Sequence, residues 1–288
     1  MKLFRTCLFV PADSARKLAK ARTLRPDAFI YDLEDAVAPD KKLEARQLLI
    51  AELREMPPTP VTVFVRVNPA STPFFEDDLR MAVRPGVYGL VVPKVNTAAE
   101  MRHADDAIRA LEREAGLPEG GMKILPILES AKGILNAAEI AVSSARLEAL
   151  NFGGEDYCAD MGISRTKPGD EIAFARFMVS LAAKSAGLEA LDGVFTDFND
   201  PDGLFQETLR MKQFGFTGKT LIHPNQIDTV HRALAASEEE IAWAQEVVST
   251  FERAGAGVAV VRGKMVDEPV VLQARRILRQ RDVPAANH

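Results

Sequence analysis

The sequence predicts an α/β fold: a (β/α)8 barrel followed by a C-terminal helical extension. Three observations carry this expectation. Short apolar, β-rich runs recur eight times between "CLFV" at Cys7 and "TLIHP" at Thr220. Most gaps between them hold a helix-like pattern, and strand–helix–strand alternation implies a parallel sheet. Charged residues end nearly every run, which suits a barrel that gathers its functional groups at the C-terminal ends of its strands. The rival, a doubly wound open sheet, is weakened by the lack of a GxGxxG after the first run.

In order, the expected strands are "CLFV" from Cys7, "AFIYDL" from Ala28, "VTVFVRV" from Val61 and "GLVVPK" from Gly89. They continue with "KILPIL" from Lys123, "LEALNF" from Leu147, "GVFTDF" from Gly193 and "TLIHP" from Thr220. Helical periodicity is clear in "TAAEMRHADDAIRALEREAG" from Thr97 and in "EIAFARFMVSLAAKSAG" from Glu171, the latter closed by Gly187. The barrel is expected over residues 1–236 and the extension over 237–288. The extension opens on a capping box, with Ser237 as N-cap and Glu240 three residues on. A strand-like "VAVV" (Val258 to Val261), a turn "RGKMVDEP" and a last helix "VVLQARRILRQR" follow.

With 288 residues, 47% hydrophobic and 27% charged, the chain is long enough to bury a large core and reads as soluble and globular. Its net charge of −5 argues against nucleic acid or an anionic membrane as partner. Two cysteines, Cys7 and Cys158, without a CxxC pair rule out a cysteine-built zinc site and argue against a disulfide framework. The N-terminal apolar run is too short for a signal peptide, and no stretch reaches membrane-spanning length. A cytoplasmic protein is the expectation.

The strand ends supply the chemistry. In order they offer Pro11; Asp32, Glu34 and Asp35; Arg66 and Asn68; Pro93 and Lys94; Glu129; Gly153, Gly154, Glu155 and Asp156; Asp197; and His223. Strand alternation puts Asp32 and Glu34 on one face and Asp35 on the other. Singly, each acid has a plain reading as a helix cap or solvated charge. Arg66 has two open roles, as ion-pair partner of Glu34 or as a donor fork for a ligand. Together, so many acids on one rim are costly unless a cation neutralises them. Oxygen ligands without a histidine or cysteine cluster favour Mg²⁺.

These residues sit in motifs that occur in a recognisable order: "LFVPADSARKLAKA", "DLEDAVAPDKKLEAR", "VRVN", "VVPKV", "ILESAKGILNAAEIA", "FGGEDYCADMG", "GFTGKTLIHPNQI" and "GKMVDEPVVLQA". Together they resemble the citrate lyase beta-subunit family of acyl-CoA lyases, within the HpcH/HpaI aldolase superfamily, from about Arg5 to about Leu278. The resemblance implies a TIM barrel with a C-terminal extension, assembled as trimers or hexamers. It implies reversible Claisen-type cleavage of a 3-hydroxyacyl-CoA thioester into an acyl thioester and a 2-oxo acid. Mg²⁺ would be held by Glu129 and Asp156. Arg66 would contact the substrate oxygens, with Asp32, Gly154 and Glu155 as further substrate-binding positions. Asp32, Glu34 and Asp35 match acids around the metal's waters, Glu34 and Asp35 as catalytic positions, and Asp267 matches an acid/base residue supplied to a neighbouring subunit's site. Arg16, Lys17 and Lys20 are candidates for the CoA pyrophosphate, with plain solvated helix charge equally open. Two variants of the activity stay open: a malyl- or citramalyl-CoA thioesterase, and a citrate lyase subunit whose thiol carrier is an acyl carrier protein.

Overall fold

The computed structural model describes residues 4–281 apart from 58 and 256. Eight strands close into a parallel barrel in sequence order: β1 (Thr6–Pro11), β2 (Ala28–Asp32), β3 (Thr62–Arg66), β4 (Gly89–Val92), β5 (Lys123–Leu128), β6 (Ala149–Phe152), β7 (Glu189–Asp192) and β8 (Gly218–Leu221). Pairing of β1 with β8, Thr6 opposite Lys219, seals it. The helices are α1 (Ala15–Ala21), α2 (Lys42–Glu55), α3 (Phe75–Ala82), α4 (Ala98–Glu114), α5 (Ala131–Leu135), α6 (Ala137–Ala141), α7 (Gly154–Met161), α8 (Ala173–Ser185), α9 (Pro201–Gln213) and α10 (Gln226–Leu234).

The two-residue period of a strand explains what fills the barrel. Ala28, Ile30, Phe64, Val91, Leu125, Ile127, Ala149 and Leu191 belong to one buried apolar cluster. Two residues further along the same columns the chemistry changes: Asp32 follows Ile30, Arg66 follows Phe64, Glu129 follows Ile127 and Asn151 follows Ala149. The polar set therefore sits at the C-terminal ends. Local signals start and stop the helices. Thr97 and Glu100 form a reciprocal capping box on α4. Gly187, at φ +72°, ends the α8 segment.

The seventh strand differs from expectation. It is Glu189–Asp192, and "GVFTDF" forms the loop after it. Glu189 and Asp192 break the apolar pattern that would have marked the run, yet both are paired: Glu189 with Lys184, Asp192 with Arg176 and Lys219. Asp197, expected at that strand's end, lies exposed in the loop.

The chain divides into two compact units, one through Val230 and one from His231. In the second, α11 (Glu238–Ala254) starts on the expected Ser237–Glu240 capping box. Beyond it come β9 (Ala259–Val261), β10 (Lys264–Val266) and α12 (Glu268–Arg281). Part of the expected turn "RGKMVDEP" is thus a strand. Arg262 at φ 50° and Gly263 at φ 74° make the two-residue reversal, which returns Met265 to pair with Val260. The extension is not purely helical. Its core is made of Ala244, Val247, Val261, Val266, Val271 and Ala274. Residues 282–288 of the expected extension lie outside those described.

Buried charge ties the helices to the barrel. The Lys219 ammonium is fully buried, 2.6 Å from Asp192 and 2.8 Å from Glu207 on α9. Arg176 on α8 joins the same two acids at 2.8 and 3.2 Å. Removing one partner leaves buried charge uncompensated, at a cost of about 3 kcal/mol or more. Lys219→Ala is therefore expected to lower unfolding free energy by about 3 kcal/mol in urea denaturation. A loss under about 1 kcal/mol would show that Arg176 alone suffices.

Candidate active site

The pairing of β2 with β3 puts Asp32 opposite Arg66. The guanidinium meets that carboxylate through two hydrogen bonds, Nε to Oδ1 at 2.7 Å and Nη2 to Oδ2 at 2.6 Å. Its Nη1 lies 2.8 Å from Glu34, and its plane rests 4.6 Å above the ring of Phe9. Both readings of Arg66 therefore start from a real ion pair, which also aims the remaining N–H edge of the fork.

Asp35 does not point away. β2 ends at Asp32, so strand alternation no longer applies. The chain turns instead, with the amides of Glu34 and Ala36 donating to the Asp32 carboxylate at 2.9 and 3.3 Å. Glu34 and Asp35 then share the ammonium of Lys94, at 2.5 and 3.3 Å. Burial pushes the Glu34 carboxyl above its usual range, against the pull of Arg66 and Lys94. Burial works the same way on Asp35, but the Glu34 hydrogen bond and both cations outweigh it and hold Asp35 low.

Lys94 has a left-handed backbone, φ 55°, which costs a non-glycine residue about 1–2 kcal/mol. The conformation serves two carboxylates. The Lys94 N–H donates to Glu129 Oε1 at 2.7 Å while its side chain reaches Glu34. The sequence reading had Lys94 only as a strand-end cation; nothing in a single lysine signals the backbone half of this role.

Glu129 is 5% exposed and has no cation in contact among the described residues. Burial and the charge of Asp156 push its carboxyl up to about 8. Asp156, in the first turn of α7, has no hydrogen-bond or ion-pair partner among the described residues. Gly153 makes room for Glu129: a Cβ there would stand 2.5 Å from both the Cβ and Oε2 of Glu129. A cavity of about 390 Å³ opens over these groups, lined by Asp32, Asp35, Arg66, Glu129, Asn151, Gly154, Glu155 and Asp156 among others. Glu34 does not line it and acts through Arg66 and Lys94. Glu155 leans on Arg165 at 3.4 Å, and burial raises its carboxyl. Arg16, Lys17 and Lys20 are exposed on α1.

The chain matches the family described as HpcH/HpaI aldolase/citrate lyase over residues 5–224. It belongs to that family. The citrate lyase subunit beta of Leuconostoc mesenteroides subsp. cremoris is 39% identical, covering 100% of this chain and 95% of that protein. The (3S)-malyl-CoA thioesterase of Cereibacter sphaeroides is 37% identical, over 98% and 96%. The crystal structure of CitE from Mycobacterium tuberculosis in complex with magnesium, acetoacetate and coenzyme A superposes with a TM-score of 0.79 at 32% identity, covering 96% of this chain and 98% of that one.

The donor set fits the hard cation that the family resemblance implies. Among the described residues no group of three or more His, Cys, Asp or Glu side chains is arranged to hold an ion. Mg²⁺ needs fewer, since it is commonly held by one or two carboxylates with water and substrate completing its shell. Glu129 and Asp156 are such a pair. Burial and the charge of Asp156 make the Glu129 carboxylate costly to ionise, and a divalent cation held there would offset that cost.

The Glu129 carboxyl gives a pH signature. In the metal-free protein it keeps its proton in the folded state from 4.5, the ordinary value, to about 8, while the unfolded chain has lost it. Its stabilising contribution is full below 4.5 and is lost as pH rises through about 8. In chelator, the melting temperature of the wild type is expected to fall across that window relative to Glu129→Gln, which does not titrate. A difference between the two that stays flat with pH would mean Glu129 is ionised throughout.

Proposed function

We propose that this protein is a Mg²⁺-dependent carbon–carbon lyase of the HpcH/HpaI aldolase/citrate lyase family. Its substrate is a 3-hydroxyacyl-CoA thioester of citramalyl, malyl or citryl type, cleaved to an acyl thioester such as acetyl-CoA and a 2-oxo acid. The observation that carries this is the pairing of two cation-free carboxylates, Glu129 and Asp156, with an oriented guanidinium across one cavity. A relative of 32% identity crystallised with magnesium, acetoacetate and coenzyme A supports it.

Glu129 and Asp156 would hold Mg²⁺, which when bound supplies Lewis acidity to the substrate's hydroxyl and carboxylate oxygens. Arg66 offers its free N–H edge to the same oxygens and, locked to Asp32, loses little freedom in doing so. Asp35, kept ionised by Lys94 and Arg66, takes the hydroxyl proton. The O–H electrons become the carbonyl of the 2-oxo acid. The carbon–carbon pair leaves with the thioester α-carbon as an enolate, which Asp267 protonates. Glu34 positions Arg66 and Lys94. Glu155 and Gly154, on the α7 side of the cavity, would border the thioester arm.

Two relatives favour variants of this reading. The thioesterase at 37% identity favours hydrolysis of the same thioester, and the citrate lyase subunit at 39% favours an acyl carrier protein as thiol carrier. Product analysis separates them. Malyl-, citramalyl- and citryl-CoA incubated with Mg²⁺ are expected to yield 2-oxo acid and acyl-CoA in equal amounts, with no turnover in chelator. Free hydroxy acid with free CoA would instead mark a thioesterase, and turnover only on carrier-protein thioesters would mark a complex subunit. A homo-oligomer is part of the proposal. The exposed apolar stripe Phe174, Phe177 and Leu181 on α8, at 72, 51 and 55% exposure, supports a covered face.

Asp267 stands at the start of α12, where its carbonyl accepts the first helical bond from Val271. We assign it the α-carbon proton, acting in a neighbouring subunit's site. Asp267→Asn is expected to keep fold and Mg²⁺ binding but to lose turnover and the exchange of acetyl-CoA α-protons with solvent. Mixed oligomers of Asp267→Asn with Arg66→Ala chains should regain activity, since some sites receive both intact residues. No recovery in verified mixed oligomers rejects the shared site, and full activity of Asp267→Asn alone removes it from the chemistry.

A further inference from the structure

One polar side chain in the cavity has no part in the scheme above. Asn151 on β6 is 2% exposed and lines the cavity. Barrel pairing sets it between Ile127 and Leu191, both members of the apolar interior cluster. Bulky aliphatic residues are the ordinary occupants of such a layer. The amide instead has its Oδ1 sealed in protein with no hydrogen-bond partner. The nitrogen, which no protein acceptor meets among the described residues, is the end left open to the cavity. The reverse orientation would seal two orphaned N–H donors in place of one orphaned acceptor, so the nitrogen faces outward. An amide held this way in a layer of aliphatic side chains is aimed at a ligand that accepts hydrogen bonds.

Depth decides which part of the ligand it meets. Asn151 lies level with Ile127, one pleat below Glu129 and Gly153. The thioester arm must leave through the mouth, because it carries the bulky thiol carrier. The chelating carboxylate and hydroxyl are used at the Glu129, Asp156 and Arg66 level. What remains to reach the floor is the substituent on the hydroxyl-bearing carbon: a hydrogen, a methyl or a carboxymethyl group. Only the carboxymethyl group accepts hydrogen bonds.

We propose that Asn151 determines substrate choice by donating to the distal carboxylate of a 2-oxo diacid unit, selecting citryl-type over citramalyl-type thioesters. The proposal rests on the lyase reading of the site. No charged partner is required, since a carboxylate accepts well from a neutral amide in a site that holds other positive charge.

Calorimetric titration of the Mg²⁺-loaded protein with oxaloacetate and with pyruvate tests this without turnover. The wild type is expected to bind oxaloacetate at least tenfold more tightly than pyruvate. Asn151→Val should bring the two within about threefold of each other by weakening oxaloacetate alone, with a melting temperature equal to or above that of the wild type. Asn151→Ser, which keeps a short donor, should recover part of the preference. A wild type without preference for oxaloacetate, or an Asn151→Val that keeps that preference or weakens both acids equally, overturns the proposal while leaving the lyase reading intact. So does an Asn151→Val that melts well below the wild type or fails to fold, which assigns the amide a structural role. A wild type that binds neither acid with Mg²⁺ fails the lyase reading itself, and the proposal with it.

Discussion

The site is organised by unequal charge. On the β2–β4 side, Asp32, Glu34 and Asp35 are met by Arg66 and Lys94 in a network of contacts from 2.5 to 3.7 Å. On the β5–β6 side, Glu129 feels the charge of Asp156 and, among the described residues, has only the Lys94 backbone N–H to help. The first half is nearly balanced, three acids against two cations. The second is frustrated, and the upward displacement of Glu129 measures that frustration. Folding alone leaves this half unsatisfied, so its stabilisation must come from what binds there. On the proposed reading a divalent cation would supply it.

Lys94 connects the halves. Its ammonium belongs to the balanced side and its amide to the frustrated one, and both reach their targets because the backbone is left-handed. Strain of this kind persists only where its surroundings over-determine it. Here they do: β4 and β5 pair through Val92 opposite Pro126, which leaves the chain after Val92 little latitude. The barrel contributes through rigidity as well. Each functional side chain stands at or within a few residues of a strand end, and buried ion pairs such as Arg176 with Asp192 brace the helices behind. The guanidinium of Arg66 reaches its ligand already oriented by two bonds to Asp32.

Much of this was legible in the sequence, for physical reasons that can be named. Strand-end position put Arg66 among the acids and named Glu34 as an ion-pair partner, while its two-bond pairing with Asp32 comes from barrel register. The excess of acids over cations at the strand ends was visible in composition, and with it the need for a cation. Three things were hidden. Asp35 depends on where β2 stops, and the turn built on the Asp32 carboxylate stops it sooner than alternation assumes. The seventh strand was masked because it carries two charged residues, Glu189 paired with nearby Lys184 and Asp192 paired with Arg176 and Lys219, which are distant in sequence. Asn151 was hidden in the opposite way. In "LEALNF" it reads as a polar break in a strand, and only barrel register reveals an unpartnered amide facing a cavity.

Lyase and thioesterase chemistry begin from the same bound acid, which explains how similar chains carry both descriptions. On the proposed reading, a cation at Glu129 and Asp156 with Arg66 beside it would hold the hydroxy-acid unit for either outcome. Breaking the carbon–carbon bond then requires a base for the hydroxyl, an acid for the α-carbon, and exclusion of water from the thioester carbonyl. Hydrolysis requires that a water be admitted to that carbonyl and activated. The ring of charges around Arg66 and Lys94 holds Asp35 low, which suits a base for the hydroxyl but not a proton donor for the α-carbon. A second acid is needed for that step. On the proposed reading Asp267 of the C-terminal unit fills that role, so that residue would separate carbon–carbon cleavage from hydrolysis of the same bound thioester.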